Sequence, residues 1–194
     1  LQGKFAWRKL IPYWIAQVVG AFAAAAITYF VYIEALELYI LQHHIQPHMG
    51  GMVTAGIWST YPAPHLSTVP GGLIDQIVGT ALLIACISAI TDARNIGAPS
   101  YLAPLFVGAL VVLIGMTFGY NSGYAINPAR DLGPRLFTSI AGWGKMVFTA
   151  GNHWWWVPIV GPLLGGVLGG FLYDFFVGSR LKGPEDANST SAAP

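Results

Sequence analysis

The sequence predicts an all-α polytopic membrane protein of four transmembrane helices plus one re-entrant half-helix, and three observations carry that prediction. Charged side chains make up 9% of the 194 residues against 55% hydrophobic ones, whereas soluble domains carry about 25% charge. So little charge cannot solvate the surface of a soluble enzyme, and a disordered chain needs the opposite composition. Four apolar runs reach or approach the roughly 20 residues that a helix needs to cross a bilayer core of about 30 Å. Between the last two lies a segment, residues 119–154, that is too polar to span and too long for a simple turn.

The four spans are read at 10–33, 70–91, 101–118 and 154–178, the third being short and the fourth carrying Asp174 near its end. All are hydrophobic on every side, so helical periodicity says nothing about which face is buried. Many of the 24 glycines fall inside these runs, where small residues let helices approach closely in lipid. Lys4, Arg8 and Lys9 precede the first span, which places the N-terminus in the cytoplasm by the positive-inside rule. Four crossings return the C-terminus to that side with Arg180 and Lys182, and Arg94 in the second connection agrees. No Lys or Arg occurs from Leu10 to Ala93, as expected of an outer connection at 34–69. The third connection is the exception: it carries Arg130, Arg135 and Lys145 on the side counted as outer, and that conflict marks it for attention.

Other classes are excluded by the same inventory. A net charge of +1 without a basic cluster beyond the N-terminal three gives no footprint for nucleic acid. Cys86 stands alone, no phosphate-binding Gly-Lys-Ser/Thr loop occurs, and neither a cofactor nor an ATP-driven engine is expected. The chain lacks a Met start, its first apolar run is too long for a signal-peptide core, and it reads as starting within a longer sequence. The tail at 179–194 is expected to be a polar cytoplasmic segment whose Asn188-Ser189-Thr190 stays unmodified.

A weak internal repeat relates the first and last spans. Ile11-Pro12 matches Val157-Pro158, and the same offset pairs Gly20 with Gly166 and Ala24 with Gly170, giving two small-xxx-small faces. Such spacings also arise in unrelated Gly-rich membrane helices.

The centre of the polar segment is a helix start. Asn127 is a preferred N-cap, Pro128 suits the first helical position, and residues 129–140 can continue as a short helix that Pro134 should bend. A dozen residues reach about 18 Å, half a bilayer, and such a half-helix is tolerated at membrane depth only beside an aqueous cavity or inside protein. A pore is the consequence. The free N–H groups and positive dipole end at Asn127 would repel cations and offer donors to neutral solutes, and the carbonyls of residues 123–126 would offer acceptors.

Asn127-Pro128-Ala129-Arg130 with Asp131 resembles the second signature loop of the aquaporin family, in its glycerol-conducting branch. The resemblance extends to Gly123-Tyr124-Ala125, Asp131-Leu132-Gly133-Pro134-Arg135, Ala141-Gly142-Trp143-Gly144, Ser59-Thr60-Tyr61-Pro62 and Trp154-Trp155-Trp156-Val157-Pro158, so it covers nearly the whole chain up to Gly178. It implies passive conduction of glycerol and other small neutral solutes, with water, by a homotetramer in the plasma membrane. Arg130 resembles the filter arginine and Tyr124 the filter aromatic, with Gly123 and Ala125 in the same filter segment. Asp131 resembles the acidic marker of glycerol channels, and Gly115 the position where water-selective members carry a histidine, so that glycine there would widen the passage. Without the resemblance, Arg130 reads as a loop cation, Tyr124 as an interface aromatic and Gly115 as a packing residue.

The family places two half-helices end to end, and this sequence contains one. The resemblance therefore reads the chain as a fragment or truncated product of a six-span channel, apparently lacking the first two spans and the first Asn-Pro-Ala loop. A non-conducting truncated isoform is one alternative, and an ion-coupled transporter built on Asp75 or Asp174 is another. The resemblance also places Gln76 where the family has a buried carboxylate that holds the re-entrant backbone. His43, His44 and His48 read as a solvated loop, with a pH gate or metal site as further readings, although no metal is expected. Trp154 to Trp156 read as an interfacial belt, and Cys86 as an inert small residue.

Overall fold

The computed structural model describes residues 6–45 and 51–181. In chain order it contains α1 (Leu10–Gln42), α2 (Gly51–Ala55), α3 (Leu73–Thr91), α4 (Ala103–Ser122), α5 (Pro128–Ile140), α6 (Met146–His153) and α7 (Val157–Phe176), with no strand among the described residues. Among those residues, the four stretches that contain α1, α3, α4 and α7 are long and apolar enough to cross a membrane. The short α5 follows α4 in the chain and packs chiefly on α1 and also on α7, and the architecture is the polytopic helical one that the sequence predicts. His48 and the tail from Lys182 onward, with Asn188, lie outside the described residues.

Two helices outrun their apolar runs. α1 has 33 residues, about 50 Å of helix, because Glu34, Ala35, Leu36, Glu37 and Leu38 are all fair to good helix formers. Leu36 anchors the extension by packing into a buried cluster with Ala25, Ala55, Trp58, Phe137, Trp143 and Val147. The first part of the connection read at 34–69 is therefore helix. α4 continues to Ser122 and stops where Gly123 turns left-handed at φ +80° and donates its N–H to the Gly119 carbonyl at 2.9 Å, a C-terminal stop that glycine makes without strain.

Small residues set the helix pairing. On α7, a Cβ at Gly161, Gly165 or Gly169 would run into the Gln76 side chain or the carbonyls of Ile77 and Ala81 on α3. This ridge of three glycines, four positions apart, is the close-approach surface of the α3–α7 pair, in a setting where hydrophobicity alone does not drive helices together. It lies one position before the face inferred from the internal repeat: a Cβ on Gly166 would meet only Ile84, at 3.9 Å, and Gly20 has open space around it. Gly133 on α5 plays the equivalent part against α1, where a Cβ would come within 2.7 Å of the Val18 carbonyl and 2.9 Å of the Phe22 nitrogen.

α5 stays helical over all 13 residues. Pro134 costs it the one N–H···O bond to the Arg130 carbonyl without ending it. Its buried face is mixed, with Ala129, Gly133 and Phe137 beside Asp131, Arg135 and Thr138. α6 loses helical geometry from Ala150, where Gly151 and Asn152 turn left-handed (φ +61° and +54°) and the Gly151 carbonyl accepts from Thr68 Oγ1 at 2.7 Å. The turn delivers Trp154 to the interior. Trp154 is fully buried, packs against Gly72 and donates its indole N–H to Thr60 Oγ1 at 3.3 Å, so it is a core residue and not the interfacial aromatic expected from the Trp154–Trp156 run.

Candidate functional site

The irregular segment between α4 and α5 brings the sequence-predicted residues together. Asn127 caps α5 from an extended conformation (φ −152°, ψ 118°), its Oδ1 accepting the N–H groups of Ala129 at 2.9 Å and Arg130 at 3.4 Å. Pro128 has no N–H to satisfy. The donors at this helix start are therefore taken, contrary to the expectation of free backbone N–H groups. What Asn127 leaves for a solute is its own amide Nδ2, on an exposed side chain.

Ahead of the cap, Gly123, Tyr124 and Ile126 all have positive φ, +80°, +42° and +42°. For a tyrosine and a β-branched isoleucine this is an uncommon backbone state that the surroundings must impose. The restraint on Ile126 is visible: its N–H donates to Gln76 Oε1 at 2.9 Å, from a glutamine that is fully buried on α3. Ala125 is also fully buried, main chain included, so it lies behind the filter segment in which the sequence reading placed it and is not open to the cleft. Gln76 is held in turn. Its Nε2 donates to Asp75 Oδ2 at 3.0 Å and to Ser122 Oγ at 2.9 Å, Ser122 donates to the same Asp75 oxygen at 2.8 Å, and Asn121 Nδ2 donates to Asp75 Oδ1 at 2.8 Å.

Tyr124 and Arg130 meet across this segment. Arg130 Nη2 lies 3.5 Å from the Gly123 carbonyl, and its Cζ is 5.8 Å from the centre of the Tyr124 ring, within cation–π range. The tyrosine ring lies over Gly115, where a Cβ would come within 3.0 Å of Tyr124 Cζ. Glycine at 115 thus provides room for an aromatic ring and does not leave the space open, as the sequence reading expected. Asn127 and Arg130 border a cleft of about 480 Å³ between α1 and α5, whose walls include Gln17, Ala24, Thr28 and Trp58. Gln17 and Thr28 were not singled out from sequence. Their spacing, three helical turns within an apolar run, puts both on one face and is the signal that could have found them.

Asp131 faces away from this cleft. It is 1% exposed and forms an ion pair with Arg135, whose Nε lies 2.8 Å from Asp131 Oδ1 and whose Nη2 lies 3.1 Å from Oδ2. Asp131 Oδ2 also accepts from the Thr60 N–H at 2.8 Å and the Thr60 hydroxyl at 2.5 Å. Arg135 donates further to the carbonyls of Thr60, at 2.6 Å, and Val147, and its guanidinium stacks 4.6 Å over the Tyr61 ring. Burial pushes the Tyr61 phenol above its ordinary pKa, against the lowering influence of that guanidinium. One of the three positive charges that looked out of place in this connection is therefore neutralised in the interior.

The histidines divide. The His43 ring shares a hydrogen bond with the carbonyl of Tyr39 at 2.9 Å and stacks on the Tyr39 ring, while His44 takes a left-handed turn at φ +50°. His65, not singled out from sequence, stacks on Tyr120 with centroids 5.0 Å apart and places Nε2 3.3 Å from Asn121 Oδ1, at the end of the Asp75 network. Among the described residues no group of three or more His, Cys, Asp or Glu side chains could hold a metal ion.

Comparison with known proteins finds relatives over nearly the whole chain. The chain is 45% identical over 192 residues to human aquaporin-10, covering 98% of this chain and 63% of that protein. It is 45% identical to rat aquaporin-9 and 47% identical to rat aquaporin-7, covering 58% and 62% of those proteins and 90% and 88% of this chain. It thus spans about three fifths of the length of these relatives. The X-ray structure of the aquaglyceroporin from Plasmodium falciparum superposes with a TM-score of 0.75 at 32% identity, over 90% of this chain and 66% of that one. The family model described as Major intrinsic protein matches residues 1–173, and the chain belongs to that family, the aquaporins.

Proposed function

We propose that this chain is part of a passive channel for glycerol and other small neutral solutes, which also passes water. The observation that carries the reading is the convergence of a guanidinium, an aromatic ring and a capping amide at the start of one half-helix. Arg130 lies beside both the Gly123 carbonyl and the Tyr124 ring, and the exposed Asn127 adds an amide donor. A polyol has one face of hydroxyls and one of carbon. Its hydroxyls would bind Arg130 and the carbonyls of the partly exposed Gly123 and Tyr124, and its carbon face would lie on the Tyr124 ring. Arg130 and the positive end of α5 would oppose cations, and no covalent step is involved.

The relatives to which this chain is similar are named aquaporins, which supports water as a second permeant. We further propose a homotetramer in the plasma membrane with both termini cytoplasmic, as the distribution of Lys and Arg suggests. An ion-coupled mechanism draws no support from Asp75, because both its oxygens already accept protein donors.

Stopped-flow light scattering on proteoliposomes containing the chain tests the reading. Glycerol re-swelling well above that of empty liposomes, insensitive to proton and sodium gradients and altered by Arg130→Ala, is the expected result. Permeability equal to empty liposomes, with insertion verified, would overturn conduction by this chain.

A further inference from the structure

We propose that Asp75 is a positioning residue for the Tyr124–Ile126 segment, acting through the amide of Gln76. The consequence for solute flux rests on the conducting reading above; the structural claim does not.

The argument begins with the asymmetry of a primary amide. Gln76 has one acceptor and one donor end, and the Ile126 N–H needs the acceptor end. If the amide turned over, Nε2 would face that N–H, two donors would oppose each other, and a buried backbone group would lose its partner. Ser122 cannot prevent this alone, because a hydroxyl both donates and accepts. The carboxylate of Asp75 can, since its oxygens only accept: Oδ2 takes Gln76 Nε2 at 3.0 Å and Ser122 Oγ at 2.8 Å, while Oδ1 takes Asn121 Nδ2 at 2.8 Å. With Ser122 Oγ committed to donating to Asp75, its remaining role toward Gln76 is to accept, at 2.9 Å. Every polar direction around Gln76 Nε2 therefore calls for a donor. Gln76 Oε1 is left facing Ile126, and the isoleucine is held at φ +42°.

The decisive test exploits symmetry. A carboxylate at position 76 presents an acceptor to Ile126 whichever way it turns, so it would make Asp75 dispensable and, beside Asp75, set two acceptors against each other. Asp75→Leu, Gln76→Glu and the double variant Asp75→Leu/Gln76→Glu are compared with the unmodified chain in lipid nanodiscs, reading amide hydrogen exchange in the peptide that contains Ile126. Each single substitution is expected to speed exchange roughly tenfold, and the double variant is expected to return close to the unmodified rate, a coupling that independent sites do not show. Unchanged exchange in Asp75→Leu would overturn the proposal, as would a double variant no better protected than that single one. Should Asp75→Leu fail to fold, the double variant decides: folded with Ile126 protected supports the proposal, and equal failure overturns it. Glycerol flux in proteoliposomes is measured in parallel and should follow the same order. Exchange in that order with flux at the empty-liposome level throughout would uphold the positioning role and refute the conducting reading.

Discussion

Asp131 and Arg135, one turn apart on α5, form an ion pair that is almost completely withdrawn from solvent, with Nε and Oδ1 2.8 Å apart. Burying two charges is costly unless the geometry is good and the remaining polar atoms find partners. Here they do: Thr60 supplies two donors to the carboxylate, and the Thr60 and Val147 carbonyls accept from the guanidinium. The pair therefore ties the α1–α3 connection to the half-helix. Asp131→Ala would leave Arg135 buried without its partner, and a loss on the order of 3–5 kcal/mol is expected, read as a large drop in thermal unfolding midpoint in detergent. Asp131→Leu/Arg135→Met should recover most of the loss, because it removes both charges together.

The ring of Tyr124 over Gly115 leads to a second expectation. Gly115→His places side-chain atoms where the ring lies, since even a Cβ would come within 3.0 Å of Tyr124 Cζ. The ring must move, and the slot beside Arg130 changes shape. On the proposed function, glycerol permeability should fall at least tenfold, while unfolding shifts only modestly. Tyr124→Ala in the Gly115→His background should restore part of the flux by returning the lost volume. Stopped-flow re-swelling of the two variants checks both outcomes.

Local signals were readable in the sequence where one or two residues decide the geometry. Asn127-Pro128 announces a capped helix start, and the four apolar runs the membrane helices. What could not be read depends on partners distant along the chain. Asp131 meets Thr60 across 71 positions, and Trp154 meets Thr60 across 94, so neither the burial of the ion pair nor that of the tryptophan has a local signature. The helix start was misjudged for a different reason: an N-cap side chain consumes the very N–H groups that a bare helix would expose, and Asn127 does so. His65, Asn121 and Asp75 were missed as a group because their link to Ile126 runs through the side-chain amides of Asn121 and Gln76, on two different helices.

Acid should weaken the connection between α3 and α4. The Arg94 guanidinium donates to Asp92 from Nε at 3.0 Å and Nη2 at 2.8 Å, and the Tyr173 hydroxyl donates at 3.1 Å. These bonds, those from Arg94 foremost, hold the Asp92 carboxyl well below the usual carboxylate range. A depressed folded pKa means stabilisation that is fully present above the unfolded value of about 3.9 and is lost as pH falls below it through the folded value. Asp92→Asn should therefore lower the unfolding temperature by a similar amount from pH 7 to about pH 5, and the gap to the unmodified chain should close below about pH 4. A gap independent of pH down to the acid limit would show that the carboxylate charge contributes nothing to the connection.

Adjacent glycines on α7 should respond oppositely to the same substitution. Gly165 faces α3 so closely that a Cβ would come within 2.8 Å of Thr80 Cβ and 3.1 Å of the Ile77 carbonyl carbon. Backbone on both helices would have to give way, and Gly165→Ala is expected to cost about 1–3 kcal/mol, as overpacking does in other well-packed interiors. Gly166 has only Ile84 within reach, at 3.9 Å, an ordinary contact. Gly166→Ala should be neutral or slightly stabilising, by under about 1 kcal/mol, because alanine is the better helix former. Thermal unfolding of the two variants in the same detergent separates the alternatives. Equal destabilisation, or a larger loss at Gly166, would place the close-approach ridge at Gly166 and Gly170, where the repeat with Gly20 and Ala24 had put it.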